Sequence, residues 1–501
     1  MMGIGKAACI GGGVIGGGWI ARFLLAGIDV AVHDPHPQAE RIVGEVVANA
    51  EKAYGMLTTA PLPKPGKLTF RKTAEETVAD ADWIQESVPE QLELKRGILT
   101  AIERAARPDA LIGSSTSGLL PTDLQRDMAR PERFFVAHPY NPVYLLPLVE
   151  LVAGEKTSPA TLFKAQGMLA PLGMKGVIIS KEIEAFVGDR LLEALWREAL
   201  WLIRDGICDV ETLDDVIRYS FGLRWAQMGL FQTYRIAGGE AGMRHFLAQF
   251  GPCLQWPWTK LTDVVDLDDA LIEKIAWQSD DQAAGLSVRA LERIRDENLV
   301  GILHALQAGN GGEGWGAGKL LKDFEAHLWA SAEKPEADVS AARPLRLMET
   351  KVSPAWIDYN GHMTEHRYLQ VFADSTDALL RLIGADMAYV EAGHAYYTVE
   401  THIRHLGQAR LGQGLTCACQ VLSADDKRLH IFHRLHDAET GTVIATGEHM
   451  LLHVDAGAGR AAPASGPVLE TVLRLAEAHA GLPLPEGAGR RIGGKPGEGA
   501  R

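Results

Sequence analysis

The chain has 501 residues, 47% hydrophobic and 23% charged, ordinary proportions for globular domains and enough chain for about two to four of them. A formal charge of −14 and a pI near 5.7, with no basic cluster, exclude nucleic acid or an anionic membrane as the main partner. Five scattered cysteines without CxxC spacing fit a reducing compartment; with no basic-then-apolar leader and no apolar run of roughly 18 residues, a cytoplasmic location and no membrane partner are expected.

Through residues 1–181 short apolar runs alternate with helical patterns, as in a parallel sheet covered by helices. Strands are predicted at Ala7–Ile10, Asp29–His33, Trp83–Glu86, Leu111–Gly113, Phe134–Ala137 and Val177–Ile179, with helices such as Ile15–Ala26 and Leu92–Ala106 between them. From 182 to 329 the texture is helical: EIEAFVGDRLLEALWREALWLIRDG spaces its apolar residues three or four apart. Residues 330–344, ASAEKPEADVSAARP, lack periodicity and read as a linker. A different pattern fills 345–455: a helix near His366–Ile383, then strand-like Tyr396–His405, Gly414–Leu422, Arg428–His436 and Thr442–Val454, the last two flanking a DAETG turn. One helix with an antiparallel sheet makes an α+β domain. The remainder, 456–501, is rich in Gly, Ala and Pro apart from a short helical pattern near Leu469–His479, and is expected to be largely disordered.

Gly11-Gly12-Gly13-Val14-Ile15-Gly16 satisfies GxGxxG between the first strand and the first helix, the context that gives this motif meaning. Gly11 permits a tight turn, Gly13 lets backbone approach a pyrophosphate, and Gly16 lets helix and strand pack closely. Val14 and Ile15 begin the helix, whose free N–H groups and dipole favour an anion. Asp34 follows the second strand, 23 residues after Gly11. Its carboxylate suits two ribose hydroxyls and repels a 2′-phosphate, so NAD is expected as cofactor rather than NADP.

Moving a hydride from an alcohol to nicotinamide requires a base for the hydroxyl proton, commonly a histidine held by a carboxylate. The strand ends of this half carry SSTSGLL (114–120) and AHPYNPVYLLPLVELV (137–152), the latter with His138 and Glu150. Ser117 and Asn141 are candidates to hydrogen-bond a substrate oxygen. TSG, HPYN-P and LVELV resemble the TSS, HFFNP and LVE motifs of the 3-hydroxyacyl-CoA dehydrogenase family, in order and at matching separations: 21 residues from Ser117 to His138 and 12 from His138 to Glu150. The resemblance spans roughly residues 5–325. It implies an α/β Rossmann-type domain followed by an all-α substrate and dimerisation domain. It also implies His138 as general base, Glu150 as its partner, Ser117 and Asn141 as substrate-oxygen contacts, and Glu90 and Lys95 of VPEQLELK near the nicotinamide.

Where that family usually has Asn before Arg in its first long substrate-domain helix, this chain reads GDR, with Asp189. An acid facing the site favours a cationic substrate or perturbs His138; a solvated helix-start Asp is the alternative. Six of the eleven tryptophans lie from Trp196 to Trp277, joined by Phe221, Phe231 and Tyr234. Aromatic faces attract quaternary ammonium groups, though Trp also fills helix cores. These helical segments look most like the L-carnitine 3-dehydrogenases within the family. That implies carnitine as substrate, its trimethylammonium held by Asp189, Trp196, Phe221 and Trp225 and its carboxylate by Arg190 or Arg224. A 3-hydroxyacyl-CoA or L-gulonate is the alternative substrate.

Finally, Asp358-Tyr359-Asn360-Gly361-His362 fits the DxxGH pattern of hot-dog-fold thioesterases of the 4-hydroxybenzoyl-CoA type, a resemblance covering about residues 345–455. It implies that Asp358 attacks a thioester carbonyl or activates water, that a helix N-terminus polarises the carbonyl, and that the protein is a homodimer. The expected substrate is an acyl-CoA thioester, betainyl-CoA if the first half handles carnitine. Many relatives have two asparagines where Thr364-Glu365 stands here, so Glu365 is the alternative acid and a non-catalytic dimerisation module the alternative role. Ten histidines between His362 and His453 lack ligand spacing, and no metal is expected.

Overall fold

The computed structural model describes residues 3–58, 60–237, 242–250, 259, 266, 268–332, 337–352, 356–358 and 360–490. The chain divides into two compact units, Met1–Leu328 and Trp329–Arg501.

The first unit is built on eight strands: β1 (Lys6–Ile10), β2 (Asp29–His33), β3 (Leu68–Phe70), β4 (Trp83–Glu86), β5 (Leu111–Ser114), β6 (Phe134–Pro139), β7 (Leu148–Val152) and β8 (Lys175–Ile179). They lie in the order β3-β2-β1-β4-β5-β6-β7-β8. Helices cover both faces, so strands such as β1 and β6 are buried along their length rather than on alternate residues. Cys9, Val32, Trp83, Leu111 and Phe135 enter one core, while their neighbours Ile10, Ile84, Ile112 and Phe134 enter the other. Pairing is parallel except between β6 and β7, where the chain turns back and sets His138 directly opposite Glu150. Opposed residues in an antiparallel pair share a face with Cβ atoms about 5 Å apart, so the reversal brings an imidazole and a carboxylate together. Neither β3, only three residues long, nor β7, entered through Pro147, was anticipated from the pattern.

Helices Gly188–Arg204, Val210–Val216, Gly222–Ala237, Gly242–Phe250, Asp269–Gln282, Val288–Ala308 and Ala317–Ser331 follow. Helix Val288–Ala308 returns to the first part of the unit: Tyr144 donates to Asp296 at 2.7 Å, and Arg289 meets Glu45 at 3.1 Å. Helix Gly188–Arg204 buries only Leu200 and Ile203, leaving Leu191, Leu192, Leu195 and Trp196 exposed.

In the second unit β9 (Leu345–Lys351), β10 (His394–His405), β11 (Gly414–Ala424), β12 (Arg428–Asp437) and β13 (Val443–Asp455) form an antiparallel sheet in the order β10-β13-β12-β11-β9, with β14 (Arg460–Ala461) beside β13. The sheet packs on helix Glu365–Ile383, whose buried face carries Tyr368, Val371, Phe372, Thr376, Leu379 and Ile383 at helical spacing. Asp437 closes the turn before β13 by accepting from the amides of Glu439 and Thr440. Within residues 456–501 the short helical pattern expected near Leu469–His479 is helix Gly466–His479, which buries Val468, Val472 and Leu475. A bulge between Val421 and Ser423 frees the Val421 amide to donate to His479 Nδ1 at 2.9 Å, tying that helix to β11. Residues 491–501 lie outside the described residues.

Two histidines sit in this core. His433 stacks on Phe372 and bonds the Thr376 hydroxyl, and His449 bonds Thr401. Burial, reinforced by His449, pushes His433 well below 6.5, and burial pushes His449 down to about 4, against the pull of Glu448. Both therefore fold uncharged. Below about pH 6.5 the unfolded chain takes up protons on these rings that the folded chain refuses, so stability falls as pH drops toward 4. We expect His449→Asn to remove about 2 kcal/mol of the stability lost between pH 7 and pH 5, read as a flatter pH dependence of urea unfolding than in the wild-type chain.

Candidate functional site

The centre of the first unit is Glu150. Its Oε2 accepts from His138 Nδ1 at 3.0 Å and from the Tyr140 hydroxyl at 2.8 Å; its Oε1 accepts from the amides of Val187 and Gly188, both at 3.1 Å. Against burial, the bonds from His138, Tyr140 and the Gly188 amide hold the Glu150 carboxyl below its usual value. Burial, followed by the bond to Glu150, raises the Tyr140 phenol, so it remains a donor. With Glu150 at Nδ1 the imidazole carries its proton there and presents Nε2 as an acceptor, as a base requires. Tyr140 and Gly188 were not singled out in the sequence. A Cβ at Gly188 would stand 1.6 Å from the Tyr140 hydroxyl, so a glycine must begin this helix.

Asp189 is the next residue, with Oδ2 3.6 Å from His138 Nε2. Of the aromatic residues expected to line a cation pocket, Trp196 is 54% exposed, and Phe221 and Trp225 pair with each other at 4.6 Å. The rings that touch His138 are Tyr140 at 4.9 Å and Phe186 at 5.7 Å. Trp256 and Trp258 lie outside the described residues. Ser117 and Asn141 are exposed at the ends of β5 and β6, and among the described residues no hydrogen bond joins either side chain to His138.

The glycine-rich turn fits a dinucleotide. Gly11 has φ +96°, and a Cβ at Gly16 would meet the Gly11 carbonyl at 1.9 Å, whereas one at Gly13 would meet nothing within 4 Å. Gly13 thus faces open space just ahead of helix Val14–Leu25, which has no side-chain cap to compete for its first amides. Asp34 accepts from the amides of Gly12 at 2.6 Å and His36 at 2.7 Å, fixing the carboxylate at the end of β2.

Glu90 and Lys95 belong to a relay. Lys95 is 1% exposed and bonds Glu86 and the Val88 carbonyl, both at 2.9 Å, with Glu90 at 3.4 Å. Glu90 in turn accepts from Thr116 and from the amides of Ser117 and Gly118. Against burial, Thr116, Lys95 and the Gly118 amide keep its carboxyl low. The relay therefore ties the Ser117 loop to the end of β4, and Glu86 is the member that sequence patterns did not reveal.

In the second unit Asp358 Oδ1 accepts from the Asn360 amide at 2.8 Å, and its own amide bonds the His362 carbonyl at 2.9 Å. Thr364 donates from both amide and hydroxyl to the Trp356 carbonyl. This closed loop sets a half-buried Asp358 beside the start of helix Glu365–Ile383, where Thr364, spent on Trp356, provides no side-chain cap. Glu365 is exposed. Among the described residues no group of His, Cys, Asp and Glu is placed to hold a metal, and no helix is long and apolar enough to cross a membrane.

Residues 6–183 match the model of the 3-hydroxyacyl-CoA dehydrogenase NAD binding domain, 186–269 that of the 3-hydroxyacyl-CoA dehydrogenase C-terminal domain, and 352–472 that of the thioesterase-like superfamily. A protein of Rhizobium meliloti (strain 1021) named L-carnitine dehydrogenase/betainyl-CoA thioesterase is 71% identical over 492 residues, covering 98% of this chain and 99% of the relative. An L-carnitine dehydrogenase of Mesorhizobium japonicum is 63% identical over 336 residues, 67% of this chain and 92% of its own length. Among solved structures, a 5-formyl-3-hydroxy-2-methylpyridine 4-carboxylic acid 5-dehydrogenase, described as an NAD+ dependent dismutase, aligns with TM-score 0.51 and 26% identity, covering 61% of this chain and 99% of that one. The 71% identity along nearly all its length places the chain in a family: it belongs to the L-carnitine dehydrogenase/betainyl-CoA thioesterases, in which NAD binding and C-terminal domains of the 3-hydroxyacyl-CoA dehydrogenase type are joined to a thioesterase-like domain.

Proposed function

We propose that the first unit oxidises L-carnitine to 3-dehydrocarnitine and the second hydrolyses betainyl-CoA to glycine betaine and CoA. The 71% identity to a relative that bears both activities in its name carries this reading. NAD, when bound, supplies the hydride acceptor; Gly11, Gly13, Val14, Ile15 and Gly16 would hold its pyrophosphate and Asp34 its ribose. His138 Nε2 takes the hydroxyl proton as the hydride leaves the carbinol carbon. Glu150 then stabilises the imidazolium through Nδ1, and Ser117 and Asn141 orient the substrate oxygen. Glu90, braced by Lys95, positions the Ser117 loop. In the second unit Asp358 attacks the thioester carbonyl or activates water, and the first amides of helix Glu365–Ile383 polarise that carbonyl.

The protein acts as a cytoplasmic homodimer. The exposed apolar face of helix Gly188–Arg204 and the open edge of β10, with Tyr397 and Val399 outward, support association. Free Cys9, Cys208, Cys417 and Cys419 fit a reducing compartment. Carnitine plus NAD is expected to yield NADH absorbance, and betainyl-CoA to yield free thiol. Turnover of a 3-hydroxyacyl-CoA or L-gulonate but not carnitine would overturn the first assignment, and no thiol release would overturn the second.

A further inference from the structure

We propose that Asp189 selects a substrate whose positive charge lies next to the reacting carbinol, so that the site takes 3-hydroxy acids bearing a cationic group on the following carbon. This rests on the dehydrogenase reading above and adds the residue that decides substrate class.

Three carboxylates surround the reaction centre, and two are saturated. Glu150 accepts from four donors, and Glu90 accepts from Thr116 and two amides with Lys95 alongside. Asp189 accepts no hydrogen bond among the described residues, although its side chain is only 28% exposed and lies 3.6 Å from His138 Nε2. A half-buried carboxylate that accepts no hydrogen bond is unfavourable, and the acids near it worsen the balance. Burial, with Glu150 and Glu90 behind it, raises the Asp189 carboxyl above its ordinary value, while His138 works against them. The adjacent cation does not help, because Arg190 turns its guanidinium toward the Glu184 carbonyl. Among the described residues the site therefore has one carboxylate that accepts no hydrogen bond and whose nearest counter-group is the His138 imidazole, 3.6 Å away.

The position of that charge defines what fits. A hydroxyl donating to Nε2 must sit about 2.8 Å from it, which brings the carbinol alongside Asp189. A cationic nitrogen two bonds from the carbinol carbon then lies within about 5–6 Å of the carboxylate, and a more distant cation does not. The Tyr140 ring, fixed through its hydroxyl on Glu150, lies 4.9 Å from the His138 ring, close enough to the reacting position for an aromatic contact with an ammonium that has no N–H to donate. A carboxylate in the first turn also favours helix Gly188–Arg204 through its dipole, so loss of Asp189 must be separated from simple weakening of the helix.

The experiment compares kcat/KM for L-carnitine with that for 3-hydroxy-5,5-dimethylhexanoate, its uncharged carbon isostere, in the wild-type enzyme and in Asp189→Asn, which keeps size and polarity. Wild type is expected to prefer carnitine, and the variant to lose about 30-fold of that preference through a raised KM for carnitine, with the isostere unaffected or improved. Equal losses on both substrates, or an unchanged ratio, would mean that Asp189 only supports the helix and would overturn the inference while leaving the reaction intact. A wild-type enzyme indifferent to the charge would do the same. Failure of wild type on carnitine would overturn the proposed reaction, and this inference with it.

Discussion

Replacing His138 with Ala is expected to lower kcat/KM for carnitine by about 100- to 10,000-fold, the range over which a positioned general base contributes. The affinity for NAD should change little, since the Gly11–Gly16 turn and Asp34 hold themselves through backbone contacts that do not involve β6. Thioester hydrolysis should not change at all, because Asp358 lies in the other unit. Glu150→Gln tests the brace. Each carboxylate oxygen accepts from two donors, so an amide, whichever way it is turned, points its NH2 at one such pair. We expect a loss of about 100-fold, with part of it arising from a disturbed start of helix Gly188–Arg204. NADH formation under saturating NAD checks both variants. A His138→Ala enzyme retaining more than about a tenth of wild-type activity would remove this imidazole from the chemistry.

The second large effect concerns Asp358. Asn at this position can still accept from the Asn360 amide and so preserve the loop, but it has no negative charge with which to attack a carbonyl or draw a proton from water. Release of free thiol from betainyl-CoA is expected to fall by about 100- to 1,000-fold in Asp358→Asn, with carnitine oxidation unchanged. Glu365→Gln serves as the comparison. Its side chain is exposed at the helix start, where a carboxylate gains from the dipole, and its loss should reduce thiol release by less than about threefold. The reverse ranking would assign the chemistry to Glu365. Thiol release unaffected by either change would leave the unit as a dimerisation module.

How much of this the residues reveal in advance depends on the range of the interaction. The strands of the first unit are readable because both sheet faces are covered, so runs such as Phe134–Ala137 stay apolar throughout. The 12-residue spacing of His138 and Glu150 is visible, but the reversal that pairs them is not, since LVELV after Pro147 looks like any buried run. The partners of Glu150 are less visible still. Val187 and Gly188 arrive from a different domain segment, and only the closeness of Tyr140 explains why residue 188 has no side chain. The same limit applies at the C-terminal end. Val468, Val472 and Leu475 have helical spacing, yet a Gly-, Ala- and Pro-rich setting conceals that a bulge in β11 gives their helix a docking point. Lys95 looks like a surface cation on helix Leu92–Ala105, and only the acids around it account for its burial.

The placement of base and brace across one strand pair also determines which genetic changes the enzyme tolerates. Residues added or removed between 140 and 147 would leave rung 138–150 in place but pull Tyr140 from Glu150 and Tyr144 from Asp296 and disturb the buried Val143 and Leu145, so the bend tolerates little change either. A single codon lost inside either strand would slide one ladder past the other and swing the imidazole to the opposite side of the sheet, away from its acid. Changes of length should therefore be excluded from the whole span from 134 to 152, strands and bend alike, a pattern that a deletion scan scored for NADH formation with carnitine would expose.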